Sequence, residues 1–329
     1  FRFMPYIERI EDFRVTALTD IDPNAATEFK RKYDSDADFY PDIETFLKNA
    51  DIDAVYIATP PYLHAEQVCA AAEAGKHVLC EKPMAVDIHS AERMVEVCEH
   101  AGVQFQVGYM MRFQTYHTRM REEVRKGTIG SLTRVSAERT CYVDPSTVGG
   151  WFLDPEKSGG GAFTDLGSHV VDLLHFFAES PAKEVKMISN TLFSTSPGIE
   201  DRAMASIEFE SGVVGSAYAS YCSPMEDNVL QLYGTDGAII AQRTIGPYVD
   251  GHFTIYKRGV APEIVRLECE THYELELRHF AESIRAQTGS DLVSGRIVLD
   301  SEKTRIWAYQ SSRGRRTNGD GAAVLGENR

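Results

Sequence analysis

Residues 53 to 83 read DAVYIATPPYLHAEQVCAAAEAGKHVLCEKP. Two largely apolar runs, at 53–59 and 77–80, flank an alanine-rich stretch that ends at Gly75. Continuous apolar runs of this length are typical of parallel strands that are buried on both faces. Glycine commonly follows the last turn of a helix. The segment therefore predicts a strand, a helix and a second, parallel strand.

The same alternation continues on both sides of this segment. Upstream, FRVTALTDID (13–22) predicts a strand, and Asp22 followed by Pro23 predicts the N-cap and the first residue of a helix. Downstream, residues 87–102 predict a helix and residues 103–108 a strand. Strands that alternate with helices of this length indicate a doubly wound parallel sheet of the Rossmann type.

Beyond Gly108 the pattern changes to longer strands separated by turn signals. This half predicts an α+β domain with an open-faced, mostly antiparallel sheet whose successive strands are antiparallel neighbours. Its predicted helices are 115–126, 162–178, 272–287 and 296–312, and its predicted strands are 131–143, 183–193, 202–210, 212–221 and 228–234. We therefore expect a dinucleotide-binding domain at 1–108, a substrate and oligomerisation domain at 109–312, and a mobile polar tail at 313–329.

The bulk composition narrows the possible partners. The chain has 329 residues and a formal net charge of -15, which argues against nucleic acid or an anionic membrane as a partner. No apolar run reaches the roughly 18 residues of a membrane-spanning helix. Its six cysteines form no C-x-x-C pair and no metal-site spacing, so we expect buried thiols, no metal and a cytoplasmic location.

Ligands of doubly wound sheets bind beyond the carboxyl ends of the strands. Asp20 ends the first predicted strand, where an acid can accept hydrogen bonds from a ribose 2′-hydroxyl; a simple loop acid is the alternative. Thr59 and Pro60 end the next strand and begin a rigid turn suited to a flat ligand. His64 either contacts that ligand or caps the following helix.

Glu81, Lys82 and Pro83 follow the third strand end. Proline disfavours the helical region for the preceding residue, so Lys82 is expected to be extended and its ammonium to point towards a substrate. A lysine there can stabilise a developing alkoxide. The alternative is an exposed Glu81–Lys82 ion pair with no function.

The segment GGGAFTDLGSHVVDLLHFF (159–177) carries the strongest local signal of the second half. Asp165, His169 and Asp172 share a helix stripe at spacings of four and three, apart from an apolar stripe. Histidine exchanges protons near neutral pH, and Asp165 can orient it. The alternative is a satisfied core histidine with two capping acids; for His175 we expect only a structural role.

Together, these segments resemble the Gfo/Idh/MocA family of oxidoreductases over nearly the whole chain. The resemblance rests on motifs that occur in order: ATPPYLH (58–64), EKP (81–83), GYMMRF (108–113), KGTIG (126–130), Trp151, the glycines with Asp165 and His169, and LYGTDGAI (232–239). It implies a Rossmann domain backed by an open-faced sheet domain. NAD, with NADP as the alternative, would be held between them, and the substrate would be a sugar, cyclitol or other polyol.

The resemblance also implies roles for single residues. Lys82, Asp165 and His169 would form the catalytic set and contact the substrate: His169 takes the hydroxyl proton, Lys82 stabilises the oxygen, and Asp165 orients the pair. Thr59, Pro60, Glu81 and Lys82 would line the nicotinamide end of the cofactor. Arg112 and Trp151 would face the cleft, Arg112 towards the cofactor and Trp151 towards the substrate.

Three further expectations accompany this resemblance. The family opens with a strand and a Gly-rich turn, whereas this sequence opens inside the first helix; a protein without that lead-in would lack the pyrophosphate cradle and a central strand. An uncovered sheet face predicts a homodimer or homotetramer. The competing functions are an NAD-dependent glycoside hydrolase on the same scaffold and a non-catalytic dinucleotide or sugar sensor.

Overall fold

Strands and helices alternate through the amino-terminal part of the computed structural model, which describes residues 4–7, 9–192, 196–224, 228–247 and 250–313. The strands of this part are β1 (Ala17–Thr19), β2 (Asp38–Tyr40), β3 (Ala54–Ile57), β4 (His77–Cys80) and β5 (Phe105–Val107). Its helices are α1 (Met4–Ile7), α2 (Pro23–Tyr33), α3 (Ile43–Asn49), α4 (Pro61–Glu73) and α5 (Ile88–Ala101). The strand–helix alternation predicted from the sequence is confirmed.

All strand pairs of this part are parallel, in two separate sheets. β1 pairs with β2, and β3, β4 and β5 form a second sheet in that order. In a doubly wound sheet of order 3-2-1-4-5-6, strand 1 lies between strands 2 and 4. Without strand 1, such a sheet would separate into a pair (3-2) and a trio (4-5-6), the same grouping as β2-β1 and β3-β4-β5. Among the described residues, no strand pairs with both β1 and β3.

Local chemistry explains where these helices begin and end. Asp22 accepts a hydrogen bond from the Asn24 backbone N–H, and Pro23 is the first residue of α2, as predicted. Gly102 ends α5 with a φ of 67°, a conformation that favours glycine. The expectation that β3 is buried on both faces is wrong for Tyr56, which is 38% exposed because β3 is an edge strand.

The rest of the described chain forms one large sheet with helices on one face. Its strands are β6 (Leu132–Thr140), β7 (Ala182–Asn190), β8 (Arg202–Phe209), β9 (Val214–Ser220), β10 (Val229–Gly234), β11 (Gly237–Gln242), β12 (His252–Lys257) and β13 (Glu263–Val265). Its helices are α6 (Thr115–Arg125), α7 (Pro155–Ser158), α8 (Ala162–Ala178), α9 (His272–Ala286) and α10 (Gly295–Arg313), with 3-10 turns at Met110–Phe113, Pro145–Thr147 and Gly150–Leu153. The predicted tail, 313–329, lies outside the described residues except for Arg313 at the end of α10.

The eight strands follow the order β13-β12-β11-β10-β6-β9-β8-β7. Every pair is antiparallel except that of the fifth and sixth strands, β6 with β9, which is parallel. The expected antiparallel neighbours β7, β8 and β9 are confirmed, whereas the expected pairing of β9 with β10 is wrong because β6 lies between them. Because β6 and β9 run in the same direction, both of their carboxyl ends lie at one edge of the sheet, and this edge carries the candidate site.

Helix α8 covers the centre of this sheet. Its apolar stripe packs on alternate residues of β6 and β9, such as Val135, Ala137 and Ala217, all at most 3% exposed. The fit is close, since a Cβ on Gly215 of β9 would lie 2.8 Å from the Leu174 side chain. Helix α10 packs against both α8 and α5, and so it connects the eight-stranded sheet with the β3–β4–β5 sheet. None of the described helices has the length and apolar character needed to cross a bilayer.

Candidate active site

Lys82 links the two halves of the molecule. It follows β4, is 15% exposed, and its Nζ donates to the Asp165 carbonyl oxygen at 2.9 Å and to Asp165 Oδ1 at 2.5 Å. Glu81 instead accepts hydrogen bonds from the Tyr56 hydroxyl at 2.7 Å and from the Lys82 backbone N–H. The alternative of an exposed Glu81–Lys82 ion pair is therefore wrong.

Asp165 lies in the first turn of α8, where the helix dipole favours a carboxylate. Its second oxygen, Oδ2, accepts a hydrogen bond from the Tyr221 hydroxyl at 3.0 Å. Burial would raise the pKa of Asp165, but the charge and hydrogen bond of Lys82, the charge of Arg139 and the hydroxyl of Tyr221 together lower it to about 2. Asp165 is therefore ionised at neutral pH and fixes the Lys82 ammonium.

His169 lies one helical turn beyond Asp165 and is 2% exposed. The ring of Tyr109, which follows β5, is perpendicular to the imidazole, with 6.2 Å between ring centroids and an interplanar angle of 89°. Lys82 therefore reaches α8 within one turn of His169. An amine paired with an acid, and an imidazole one turn along the same helix, are groups suited to proton transfer at a hydroxyl.

The glycines that precede α8 allow close approach of protein backbone. A Cβ on Gly161 would lie 2.0 Å from the Glu200 carbonyl oxygen. The Glu200 carboxylate accepts hydrogen bonds from the backbone N–H groups of Gly161 and Phe163, at 3.0 and 2.8 Å. Glu200 thus supplies partners for the first turn of α8, the turn that carries Asp165.

A buried network holds the loop that carries Lys82. Glu302 of α10 accepts hydrogen bonds from the Met84 backbone N–H, at 3.1 Å, and from the Tyr109 hydroxyl. Arg305, one turn later, pairs with Glu302 at 2.9 Å and donates to the Ala85 carbonyl oxygen at 2.6 Å. Both charged side chains are at most 1% exposed. Helix α10 therefore fixes the backbone on the C-terminal side of Lys82.

Arg112 and Asp172 form a second buried pair. Arg112 Nε and Nη2 donate to the Asp172 carboxylate at 2.7–3.1 Å, and Nη1 donates to the Leu292 carbonyl oxygen. Arg112 is 4% exposed and Asp172 is fully buried. The predicted stripe of Asp165, His169 and Asp172 therefore divides: Asp165 binds Lys82, while Asp172 anchors the turn at Met110–Phe113 through Arg112. A cofactor contact by Arg112 stays a prediction.

The His64 ring contacts the two backbone segments that follow β3 and β4. Its Nδ1 lies 3.0 Å from the Pro83 carbonyl oxygen and its Nε2 lies 2.8 Å from that of Thr59, with the ring 1% exposed. The helix-capping alternative is wrong, because α4 has Pro60 at its N-cap and no side-chain cap. His64 thus ties the Thr59–Pro60 turn to the loop after Lys82.

The remaining predicted residues, Asp20 and Trp151, are exposed. Asp20 is exposed and accepts a hydrogen bond from the Asp22 backbone N–H, and the neighbouring Ile21 is 97% exposed. Trp151 is 41% exposed and its ring lies edge-on to Phe152, which in turn contacts the Tyr221 ring. Within the described ranges, no cluster of three or more His, Cys, Asp or Glu side chains could hold a metal ion.

Sequence reasoning missed Tyr221, Glu200, Glu302 and Arg305. Side chains alternate between the two faces of a strand, and Tyr221 continues the series of Ala217 and Ala219 on the covered face of β9. The sequence therefore did indicate that the Tyr221 side chain points towards α8. The other three act through contacts between residues far apart in the sequence, and no local pattern marks them.

Comparisons with known proteins identify the family and the fold. Residues 2–109 match a family model described as an oxidoreductase family with an NAD-binding Rossmann fold, and residues 117–240 match the GFO/IDH/MocA C-terminal domain. The chain is 30% identical to 1,5-anhydro-D-fructose reductase of Ensifer adhaerens, over 80% of this chain and 81% of that protein. It is 31% identical to scyllo-inositol 2-dehydrogenase (NAD(+)) of Bacillus subtilis strain 168, over 73% and 69% of the two chains. A crystal structure of the aldose-aldose oxidoreductase of Caulobacter crescentus, complexed with glycerol, is similar at a TM-score of 0.85 and 25% identity, covering 95% of this chain and 94% of that one.

Proposed function

This chain belongs to the Gfo/Idh/MocA family of oxidoreductases, and we propose that it transfers a hydride between a hydroxyl of a sugar, cyclitol or related polyol and a nicotinamide cofactor. One observation carries the proposal. Lys82, from the end of a Rossmann strand, is hydrogen-bonded to Asp165, one turn from His169 on the main helix of the other domain. We place the boundary between the two domains at residues 108 and 109.

The cofactor residues that we propose follow three parallel strands. Asp20, after β1, would accept the ribose hydroxyls, and the exposed Ile21 side chain would contact the adenine ring. The nicotinamide end would be lined by the residues that follow β3 and β4, namely Thr59, Pro60, Glu81 and Lys82. The His64 ring contacts the backbone of both segments, at the Thr59 and Pro83 carbonyl oxygens. No lysine or arginine occurs from residue 15 to 29, so the sequence next to Asp20 offers no cation for a 2′-phosphate, which favours NAD over NADP.

The roles follow from the contacts. A bound nicotinamide ring supplies the hydride acceptor or donor. Lys82 donates a hydrogen bond to the reacting oxygen and stabilises negative charge there as the proton leaves. His169 accepts that proton, or returns it in the direction of reduction. Asp165 holds Lys82 through Oδ1 while Tyr221 holds Oδ2, so the carboxylate cannot rotate away.

A substrate panel tests this proposal. Sugars, inositols and their glycosides are incubated with NAD and, separately, with NADP, and nicotinamide absorbance and product release are both followed. We expect net NADH formation on at least one free sugar or cyclitol, and a kcat/KM about tenfold or more higher with NAD than with NADP.

The panel also separates the competing functions. Release of an aglycone without net NADH would identify the glycoside hydrolase alternative instead. Cofactor binding without any chemistry on the whole panel would favour the sensor and contradict the proposed function.

We also propose that the uncovered face of the large sheet joins two copies of the chain. Ile188 and Met204 are opposite each other on β7 and β8, at 67% and 56% exposure, and Val214 on β9 is 50% exposed. Apolar side chains on a broad open face favour self-association. A cytoplasmic location is supported by six free thiols and no disulfide among the described residues.

Met204→Glu should break this association. We expect light scattering to find a dimer or tetramer for the unaltered protein and a monomer for the variant, since a buried, unpaired carboxylate would be costly. Val260→Glu is the matched control, because Val260 is 62% exposed but lies in a turn beyond β12. A monomeric unaltered protein, or an unchanged mass for Met204→Glu, would contradict an interface on this face.

A further inference from the structure

Arg139 is the penultimate residue of β6. It is paired with Ala219 of the parallel strand β9. Val135 and Ala137, on the same side of β6, are buried under α8, so the alternation of side chains places Arg139 on that covered face. Tyr221, two residues beyond Ala219 and therefore on the same face, hydrogen-bonds Asp165. Arg139 therefore projects from the same edge of the sheet as the candidate active site.

The Arg139 guanidinium has unused hydrogen-bonding capacity. Its Nη1 is buried, and within the described residues it has no hydrogen-bond partner. Its positive charge acts on Asp165 and lowers the pKa of that carboxyl, after the larger effects of burial and of Lys82. Both Asp165 oxygens are nevertheless occupied, Oδ1 by Lys82 and Oδ2 by Tyr221. A buried N–H group without a hydrogen-bond partner is destabilising unless a ligand supplies an acceptor.

His272, the first residue of α9, supplies a second unused donor near Arg139. It is 1% exposed, and neither ring nitrogen has a hydrogen-bond partner in the part of the chain that the structure describes. Burial, then the charges of His117 and Arg139, lower the pKa of His272 to about 4, so the imidazole is neutral at pH 7. Glu276, one turn along α9, is fully buried, and burial followed by the charges of Glu81 and Asp172 raises its pKa well above the usual range. A neutral Glu276 does not cancel the charge of Arg139.

We propose that Arg139 binds a carboxylate of the substrate, with His272 as a neutral hydrogen-bond donor, so that the substrate class is the acidic sugars. This inference rests on the proposed function, because it names the substrate of the same cleft. One guanidinium charge matches one carboxylate charge, whereas a phosphate dianion would require further cations. The Lys82 charge is already balanced by Asp165. Arginine also offers two parallel N–H groups in the geometry that a carboxylate accepts.

Matched pairs of substrates test the inference. D-glucuronate is compared with D-glucose, and D-galacturonate with D-galactose, as substrates with NAD and as ligands of the NADH-loaded protein, followed by nicotinamide fluorescence. In at least one pair we expect kcat/KM to favour the acid, and Arg139→Met to lower the ratio of acid to neutral sugar about 10²-fold. Arg134→Met is the control, since Arg134 lies on the same strand but on the opposite face, over the Tyr233 ring, and should leave the ratio unchanged.

The outcomes separate this inference from the proposed function. Turnover of neutral sugars with no preference for either acid would overturn the carboxylate site and leave the oxidoreductase assignment standing. Binding of an acid that depends on Arg139, without turnover of any sugar, would support the carboxylate site and contradict the oxidoreductase assignment. An equal loss for both members of a pair in Arg139→Met would also overturn the inference, because Arg139 would then act only through Asp165.

Discussion

His169→Asn and Lys82→Met should each lower kcat by about 10²–10⁴, the usual contribution of a positioned acid or base. Asparagine keeps the approximate shape of the imidazole but cannot accept the hydroxyl proton. Methionine keeps the length of the Lys82 side chain but provides no charge at the reacting oxygen. Initial rates at saturating substrate and NAD measure both effects.

Matched surface variants control for these substitutions. His100→Asn and Lys48→Met remove the same side-chain types from exposed positions on α5 and α3, and kcat should stay within about threefold of the original value. Circular dichroism and the thermal midpoint of each variant verify the fold. Full turnover in His169→Asn and in Lys82→Met would refute the assignment of roles.

Glu302→Ala should cause the largest loss of stability of any single substitution that we consider. It leaves Arg305 buried without its carboxylate, and breaking such a pair typically costs about 3–5 kcal/mol. We expect the thermal midpoint to fall by about 10 °C. Turnover should fall too, because the Met84 N–H and the Tyr109 hydroxyl lose the acceptor that holds the loop after Lys82.

Two further variants separate stability from positioning. Glu302→Leu combined with Arg305→Met removes both charges, so we expect it to recover much of the thermal midpoint while turnover stays low. Glu302→Gln keeps an acceptor for Met84 and Tyr109, and should retain more activity than the alanine variant. An unchanged midpoint in Glu302→Ala would show that helix α10 does not secure the Lys82 loop.

Periodicity and turn chemistry were enough to predict most of the framework. The spacing of Phe163, Leu166 and Val170 predicts α8, which the structure places at Ala162–Ala178, and the stripe beside it contains Asp165 and His169. The proline after Lys82 and the apolar run before it predict a strand end, which the structure bears out. These signals are local, because each depends on side chains within one element.

Pairing between distant strands and helices could not be predicted in the same way. The parallel β6–β9 pair joins strands on either side of α8, β7 and β8, and it alone brings Arg139 and Tyr221 to the same edge. His64 illustrates the same difficulty, since a histidine in a helical first turn suggests a cap, yet its ring spans two carbonyl oxygens that lie 24 residues apart. Such contacts depend on tertiary packing that overrides local preference.

A crystal structure of the protein with bound cofactor and a sugar or polyol from the panel is the most direct test of the central claim. The quantities to measure are the distances from the nearest substrate hydroxyl to Lys82 Nζ and to the His169 imidazole. We predict that one hydroxyl lies within about 3.2 Å of both groups. A bound substrate with no hydroxyl near either group would contradict the claim that the two domains converge on one carbinol.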